Sequence, residues 1–305
     1  MKKITSVFFI LSLLFSSQSL AQTLSLSDLN HSTVKIDESK LIFTASLEKP
    51  EFIESEKVLC ILQLTNNSND TVDVLSLFPG FGGVRLQLVD VRSGERMKYT
   101  GIHVTRSLSK ETIKIKPHGK ALKIIELNTM WGLPIGAGAA DQFIPAGTYK
   151  LSASYDEGES PKVQSMEFLI SMPRGRDAID YNIFLSIVRK RWSRASRAEV
   201  VDRILQFETE SPRSGYVPIV LSLAASIYKF ALNDAAKGDE TYVRLVENYP
   251  VGVKMPGVLD AAMDSFGVPQ KQRAFLQKLI KSSTDSVGRA YIQQFLESLT
   301  SRSPK

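Results

Sequence analysis

Between Leu41 and Met172 apolar and polar positions alternate in short runs, each broken by turn-forming residues. A period of two puts alternate side chains on one face, which is the mark of a half-buried strand. The pattern predicts strands over Leu41–Leu47, Val58–Thr65, Val72–Leu77, Arg85–Val91, Ile113–Ile115, Ala121–Leu127, Tyr149–Tyr155 and Gln164–Ile170. Between them lie Asn66-Asn67-Ser68-Asn69-Asp70, Pro79-Gly80, Ser93-Gly94-Glu95, Pro117-His118-Gly119 and Pro145-Ala146-Gly147. Asn, Asp and Gly reach turn conformations at low steric cost, and Pro presets φ. Seven or eight short strands with no helical period between them predict an antiparallel β-sandwich.

Beyond Met172-Pro173-Arg174-Gly175-Arg176 the period changes to 3.6. Ile179, Ile183, Phe184, Ile187, Val188 and Trp192 share one helical face. Ser196 can cap the next helix, with Glu199 at the capping-box position, and Val200, Val201, Ile204 and Leu205 form its apolar stripe. Pro218 falls in the first turn of a third helix, where a missing N–H costs little. A fourth helix is expected from Gly238-Asp239 to Pro250, a fifth from Pro256 to Phe266, a sixth after Pro269 and a seventh from Asp285.

Within this half a segment occurs twice. Pro212 and Pro250 are 38 residues apart, as are Val217 and Met255, Pro218 and Pro256, Val220 and Val258, Leu221 and Leu259, Ala224 and Ala262, and Tyr228 and Phe266. A fixed spacing of this size signals stacked helical hairpins. The expected layout is therefore an N-terminal extension over 22–40, a sandwich over 41–172, a linker over 173–177, helical repeats over 178–300 and a tail over 301–305.

Residues 1–21 change the expected compartment. Met1-Lys2-Lys3 is basic, Val7–Phe15 is apolar, and Ser19 and Ala21 stand where a signal peptidase reads small residues. The apolar run is too short for the roughly 20 residues that span a bilayer. Export to the periplasm or beyond is expected, with no membrane-spanning segment. Cys60, the single cysteine, sits in Val58-Leu59-Cys60-Ile61-Leu62 and is expected to be a buried, inert thiol. Residues 23–172 carry a net charge of −2 and residues 173–305 a net charge of +6.

Few residues suggest chemistry. His31, His103 and His118 lie far apart, and no metal-ligand spacing, nucleophile motif or Cys pair occurs, so no metal, cofactor or catalytic residue is expected. Asp156-Glu157-Gly158-Glu159 reads as a solvated hairpin tip. Two stretches remain as partner-binding candidates. The Gly-rich loop Asn128–Gln142 holds Trp131, Leu133 and Ile135, which either plug the end of the sandwich or present an anchor aromatic. Arg189, Lys190, Arg191 and Arg194 either close a helix, where cations complement its dipole, or meet an anionic surface. Export argues against nucleic acid as that partner.

Leu62-Gln63-Leu64-Thr65-Asn66-Asn67-Ser68, and Phe143 to Tyr155 with its Pro145-x-Gly147-x-Tyr149 opening, resemble the immunoglobulin-like modules of exported bacterial proteins, including the BsuPI-type proteinase inhibitors. Tyr242-Val243-Arg244-Leu245-Val246-Glu247-Asn248-Tyr249-Pro250 is similar to the close of a tetratricopeptide unit, and the Leu221-x-x-Ala224-x-x-x-Tyr228 helix is similar to the start of one. The spacing departs from the family's 34 or so residues, and the Trp-x-x-Leu-Gly signature is missing. The resemblances imply a non-enzymatic scaffold or adaptor that binds an envelope or extracellular protein. The alternative they imply is an inhibitor or ligand-binding module that works through the sandwich loops.

Overall fold

The computed structural model describes residues 41–79, 83–98, 112–131, 133–134, 142–155, 162–190 and 197–301. The signal segment, the extension over 22–40, Ile135, the acidic tip 156–159, Arg191, Trp192, Arg194 and Ser196 lie outside them. The described strands and helices belong to one compact unit, Ile36–Lys305, with strands first and helices after.

The predicted strands form in place, with ends shifted by a few residues. One sheet holds β1 (Leu41–Leu47), β3 (Leu59–Asn66) and β7 (Lys120–Glu126), all antiparallel in the order β1-β3-β7. A second holds β2 (Glu51–Ile53), β11 (Lys162–Ser171), β10 (Gly147–Tyr155) and β5 (Val84–Asp90), in that order. Here β10 and β11 form a nine-pair hairpin from Gly147↔Ile170 to Tyr155↔Lys162. Two short pairs complete the β half: β4 (Val72–Leu75) with β6 (Thr112–Ile115), and β8 (Leu133–Pro134) with β9 (Gln142–Phe143). The predicted antiparallel pattern has one departure among the described strands, since β2 runs parallel to β11. Three residues after Pro50 are too few to show a period, so β2 left no trace in the alternation.

The two larger sheets share a core. Phe43, Leu62 and Leu64 from the first meet Leu88, Leu151, Ala153 and Phe168 from the second. Phe43 stacks on Tyr155 at 5.6 Å, and Phe52 meets Phe168 edge-on at 6.0 Å. Cys60 lies in this core, fully buried and free, and burial pushes its thiol up to about 12. The Pro-x-Gly-x-Tyr element acquires a physical account here. The Tyr149 hydroxyl donates to the Pro145 carbonyl at 2.9 Å, which folds the ring back over Gly147. A Cβ on Gly147 would stand 3.1 Å from that hydroxyl, so the close approach favours glycine.

The helices are α2 (Arg176–Lys190), α3 (Arg197–Glu210), α4 (Val217–Phe230), α5 (Ala235–Asn248), α6 (Pro250–Lys254), α7 (Val258–Asp264), α8 (Pro269–Ser282) and α9 (Ser286–Ser301), after a single turn α1 (Asn128–Trp131). Two predicted boundaries need correction. The fourth helix starts at Ala235 and not at Gly238, because Asp234 caps it by accepting from the Lys237 N–H at 3.1 Å. Gly238 instead permits contact between helices: a Cβ there would lie 3.0 Å from the Ala225 carbonyl oxygen and from Lys229. Pro250 ends α5 as expected, but it also opens α6, a five-residue helix too short to show a period.

Four of the seven repeated pairs are interior in both copies, while Pro212, Pro250 and Pro256 are exposed and Tyr228 and Phe266 half-buried. Val217, Val220, Leu221 and Ala224 are fully buried, and Met255, Val258, Leu259 and Ala262 are at most 3% exposed. They share one core with Phe184, Phe207, Leu245 and Leu276.

A third cluster joins the halves. Leu59 and Ile61 of β3 and Leu122 and Ile124 of β7 face away from the β core and pack against Val251, Val287 and Tyr291. Burying four such aliphatic side chains contributes about 1.5–3 kcal/mol each before entropy is counted. Polar contacts border the joint. The Tyr216 hydroxyl donates to the Glu54 carbonyl at 2.8 Å, and the Tyr181 hydroxyl donates to Glu54 Oε2 at 3.2 Å. The Lys254 ammonium, in a side chain only 7% exposed, binds Glu48 at the end of β1 and lies 2.8 Å from Asp285 before α9.

Candidate functional site

Trp131, an exposed anchor in one reading of its loop, is 3% exposed and belongs to the β core. Its packing is that of the plug. Leu133 is in β8, paired with Phe143. Arg189 and Lys190 are exposed at the last turn of α2, where they complement the helix dipole. Among the described residues the structure does not bring the Trp131 loop and the α2 end into one site. No group of three or more His, Cys, Asp or Glu among them is arranged to hold a metal ion. His118 is exposed and bonds Asn69 Oδ1 at 3.1 Å.

Among the described residues the most exposed large apolar side chain is elsewhere, at the end of α4. α4 is apolar almost all round, and such a helix must be central. It is enclosed by α2, α3 and α5 until its last turn, where Phe230 emerges at 80% exposure. Leu232 follows at 38%, and Asn233 then reverses the chain in the left-handed conformation at φ 54°. The second repeat ends differently: α7 stops at Asp264, and the extended residue that caps α8 stands at the position matching Phe230. Val268 stands 38 residues after Phe230, is 45% exposed, and follows Gly267 at φ 63°. Lys229 binds Asp239 of α5 at 2.9 Å, and Asp264 at the end of α7 also acts on the Lys229 charge. The hydrogen bond that the Lys229 ammonium donates to Asp239 is the main reason it is held above its ordinary value. Behind Phe230, Lys237 lies over the Tyr228 ring at 5.6 Å, and behind Val268 the Phe266 and Phe275 rings meet at 4.7 Å.

Phe230 and Val268 lie off the buried stripe, so the repeated apolar positions do not include them. The signal was available in the spacing: an apolar residue stands two positions after the aromatic in both copies. A concavity of about 80 Å³ between α5, α6, α8 and α9, lined by Val246, Pro250, Val253, Leu279 and Ile292, has room for a few waters. Sites for drug-sized ligands take about 300–1,000 Å³. No described helix is long and apolar enough to cross a membrane.

No family model matches the chain, and no curated protein matches its sequence. Among solved structures it is similar to a β-glucosidase from Erythrobacter marinus, at 10% identity and a TM-score of 0.27, over 43% of this chain and 15% of that one. A β-glucosidase from Listeria innocua aligns at 12% identity and a TM-score of 0.25, over 43% of this chain and 16% of that one. The sporulation control protein Spo0M from Bacillus subtilis aligns at 16% identity and a TM-score of 0.25, over 49% of this chain and 54% of that one. At these TM-scores the likenesses carry no argument about activity.

Proposed function

We propose that this chain is an exported, non-enzymatic adaptor of the bacterial envelope, in which an immunoglobulin-like sandwich carries a tetratricopeptide-like helical repeat that holds another protein. The observation that carries the reading is the exposure of Phe230 and Val268, two apolar residues 38 apart in the doubled segment. Interfaces draw most of their energy from a few such anchors. The immunoglobulin-like part is supported by the Tyr149 hydroxyl bonded to a carbonyl a few residues upstream, a corner familiar in those sandwiches. The tetratricopeptide-like part is supported by the burial, in both copies, of four of the seven duplicated pairs. Export rests on the first 21 residues of the sequence.

The test uses the whole chain, since the two halves share a packed joint. With a photo-reactive benzoyl-phenylalanine in place of Phe230, irradiated cells should yield one discrete adduct with an envelope protein. Val268→Asp in the same chain should reduce it at least about tenfold, the equivalent of 1.4 kcal/mol. The same probe at Lys150, exposed on β10, should give none. No adduct from position 230, or equal adducts from both positions, would remove the repeat end as the binding surface.

A further inference from the structure

We propose that the corner where α2 ends and α3 begins binds the headgroups of an anionic phospholipid surface. The sequence from Tyr181 to Ala198 holds five Arg or Lys residues and no Asp or Glu. Three of these five lie among the described residues, all exposed: Arg189 and Lys190 in the last turn of α2, and Arg197 in the first turn of α3. The helix dipole accounts for the first two, since cations are favoured at a C-terminus. It does not account for Arg197. A cation in a first helical turn stands at the positive end of the dipole and is disfavoured there. Arg176 and Arg244 are ion-paired, with Asp180 and Glu208, but Arg189 and Arg197 meet no carboxylate among the described residues. A local preference broken without a compensating contact is a mark of a functional place.

Two observations select a lipid surface over a folded protein. A protein interface is built around an apolar or aromatic centre from which water is excluded. None of the exposed large apolar side chains among the described residues lies in the last two turns of α2 or in α3. A charged membrane needs no such centre, because each Lys or Arg near it contributes by itself. The layout of the charges also suits a plane. α2 and α3 pack on one another, and residues 191–196 join them, so the two helix ends are at most about 25 Å apart. A headgroup layer meets both ends at once, and the fork of each Arg matches the oxygens of a phosphate. The lipid contact stands whether or not the end of α4 holds a protein.

Co-sedimentation with vesicles tests this, using residues 22–305 so that the apolar run Val7–Phe15 does not itself bind lipid. The protein should bind vesicles of phosphatidylglycerol and not those of phosphatidylcholine. Raising the ionic strength from about 0.05 to about 0.5 M should release it. Arg189→Gln, Lys190→Gln and Arg197→Gln together should weaken binding about a hundredfold. Lys116→Gln, Lys120→Gln and Lys150→Gln together remove the same charge from exposed positions of the β half, and should change binding by no more than about twofold. Arg197→Gln alone should leave the thermal unfolding midpoint at or above the wild-type value, because the dipole disfavours the cation it removes. The lipid contact is overturned by failure to bind phosphatidylglycerol, by equal binding to both vesicles, or by equal effects of the two triple variants. Tighter binding to polyglutamate or to a DNA duplex than to the anionic vesicles would also overturn it, in favour of an acidic protein or a nucleic acid. A lower midpoint in Arg197→Gln would give that side chain a structural role and remove it from the surface.

Discussion

In Trp131→Ala, urea unfolding followed by far-UV circular dichroism should show a loss of about 3–5 kcal/mol. The ring is 3% exposed and packs in the β core, so its removal leaves a cavity that the two sheets cannot close. Partner adducts from position 230 should be unchanged wherever the variant is still folded. Phe230→Ser is the matched contrast. That side chain is 80% exposed, so its loss should move stability by no more than about 0.5 kcal/mol while adducts at the repeat end fall. A Trp131→Ala protein as stable as wild type would place the indole outside the core and return it to the list of recognition residues.

Lys254→Met should cost about 3 kcal/mol in the same measurement. The ammonium is nearly inaccessible and is bound between Glu48 and Asp285, whose side chains are 22% and 25% exposed. Removing the cation leaves two facing carboxylates, whereas removing the whole charged group is often close to neutral. Lys254→Met combined with Glu48→Gln and Asp285→Asn should therefore recover to within about 1 kcal/mol of wild type. The pH dependence has a defined sign. Burial by itself would lower the Lys254 value, but the bonds from Asp285 and Glu48 reverse this and hold it above 10.5. Burial by itself would raise the Asp285 value, but Lys254 and backbone N–H groups hold it below 3.8. The Asp285 contribution is thus complete above its unfolded value and disappears as pH falls through the folded one. The Lys254 contribution is complete below its unfolded value and disappears as pH rises through the folded one. Wild type should exceed Lys254→Met by a constant margin between about pH 4 and 10, narrowing on both sides. A margin that changes steadily across that window would show that another group governs the joint.

The local pattern determined a great deal. Period two located the eight longer strands, period 3.6 with its prolines located the longer helices, and the 38-residue spacing singled out positions that prove to be interior. Such signals survive in a single sequence because each depends on neighbours within a few residues or on copying. The short elements β2, α1 and α6 show no readable period and were seen only in the fold, although β4 and β6, at four residues each, left a trace.

The unbroken run Val58-Leu59-Cys60-Ile61-Leu62 lies between these cases. A strand with one wet face alternates, so a continuous apolar run means that both faces are covered. Cys60 and Leu62 face the β core, and Leu59 and Ile61 face the helices. Read as one of the alternating strands, Val58–Thr65 is expected to be half-buried; the fold covers both faces of its first half, while Gln63 and Thr65 stay half-buried. That the second cover is Val251, Val287 and Tyr291, that Gln294 bonds the Leu122 backbone on β7, and that Lys254 meets Glu48, only the tertiary structure decided. These partners are more than a hundred residues apart, and no local periodicity carries information over that distance.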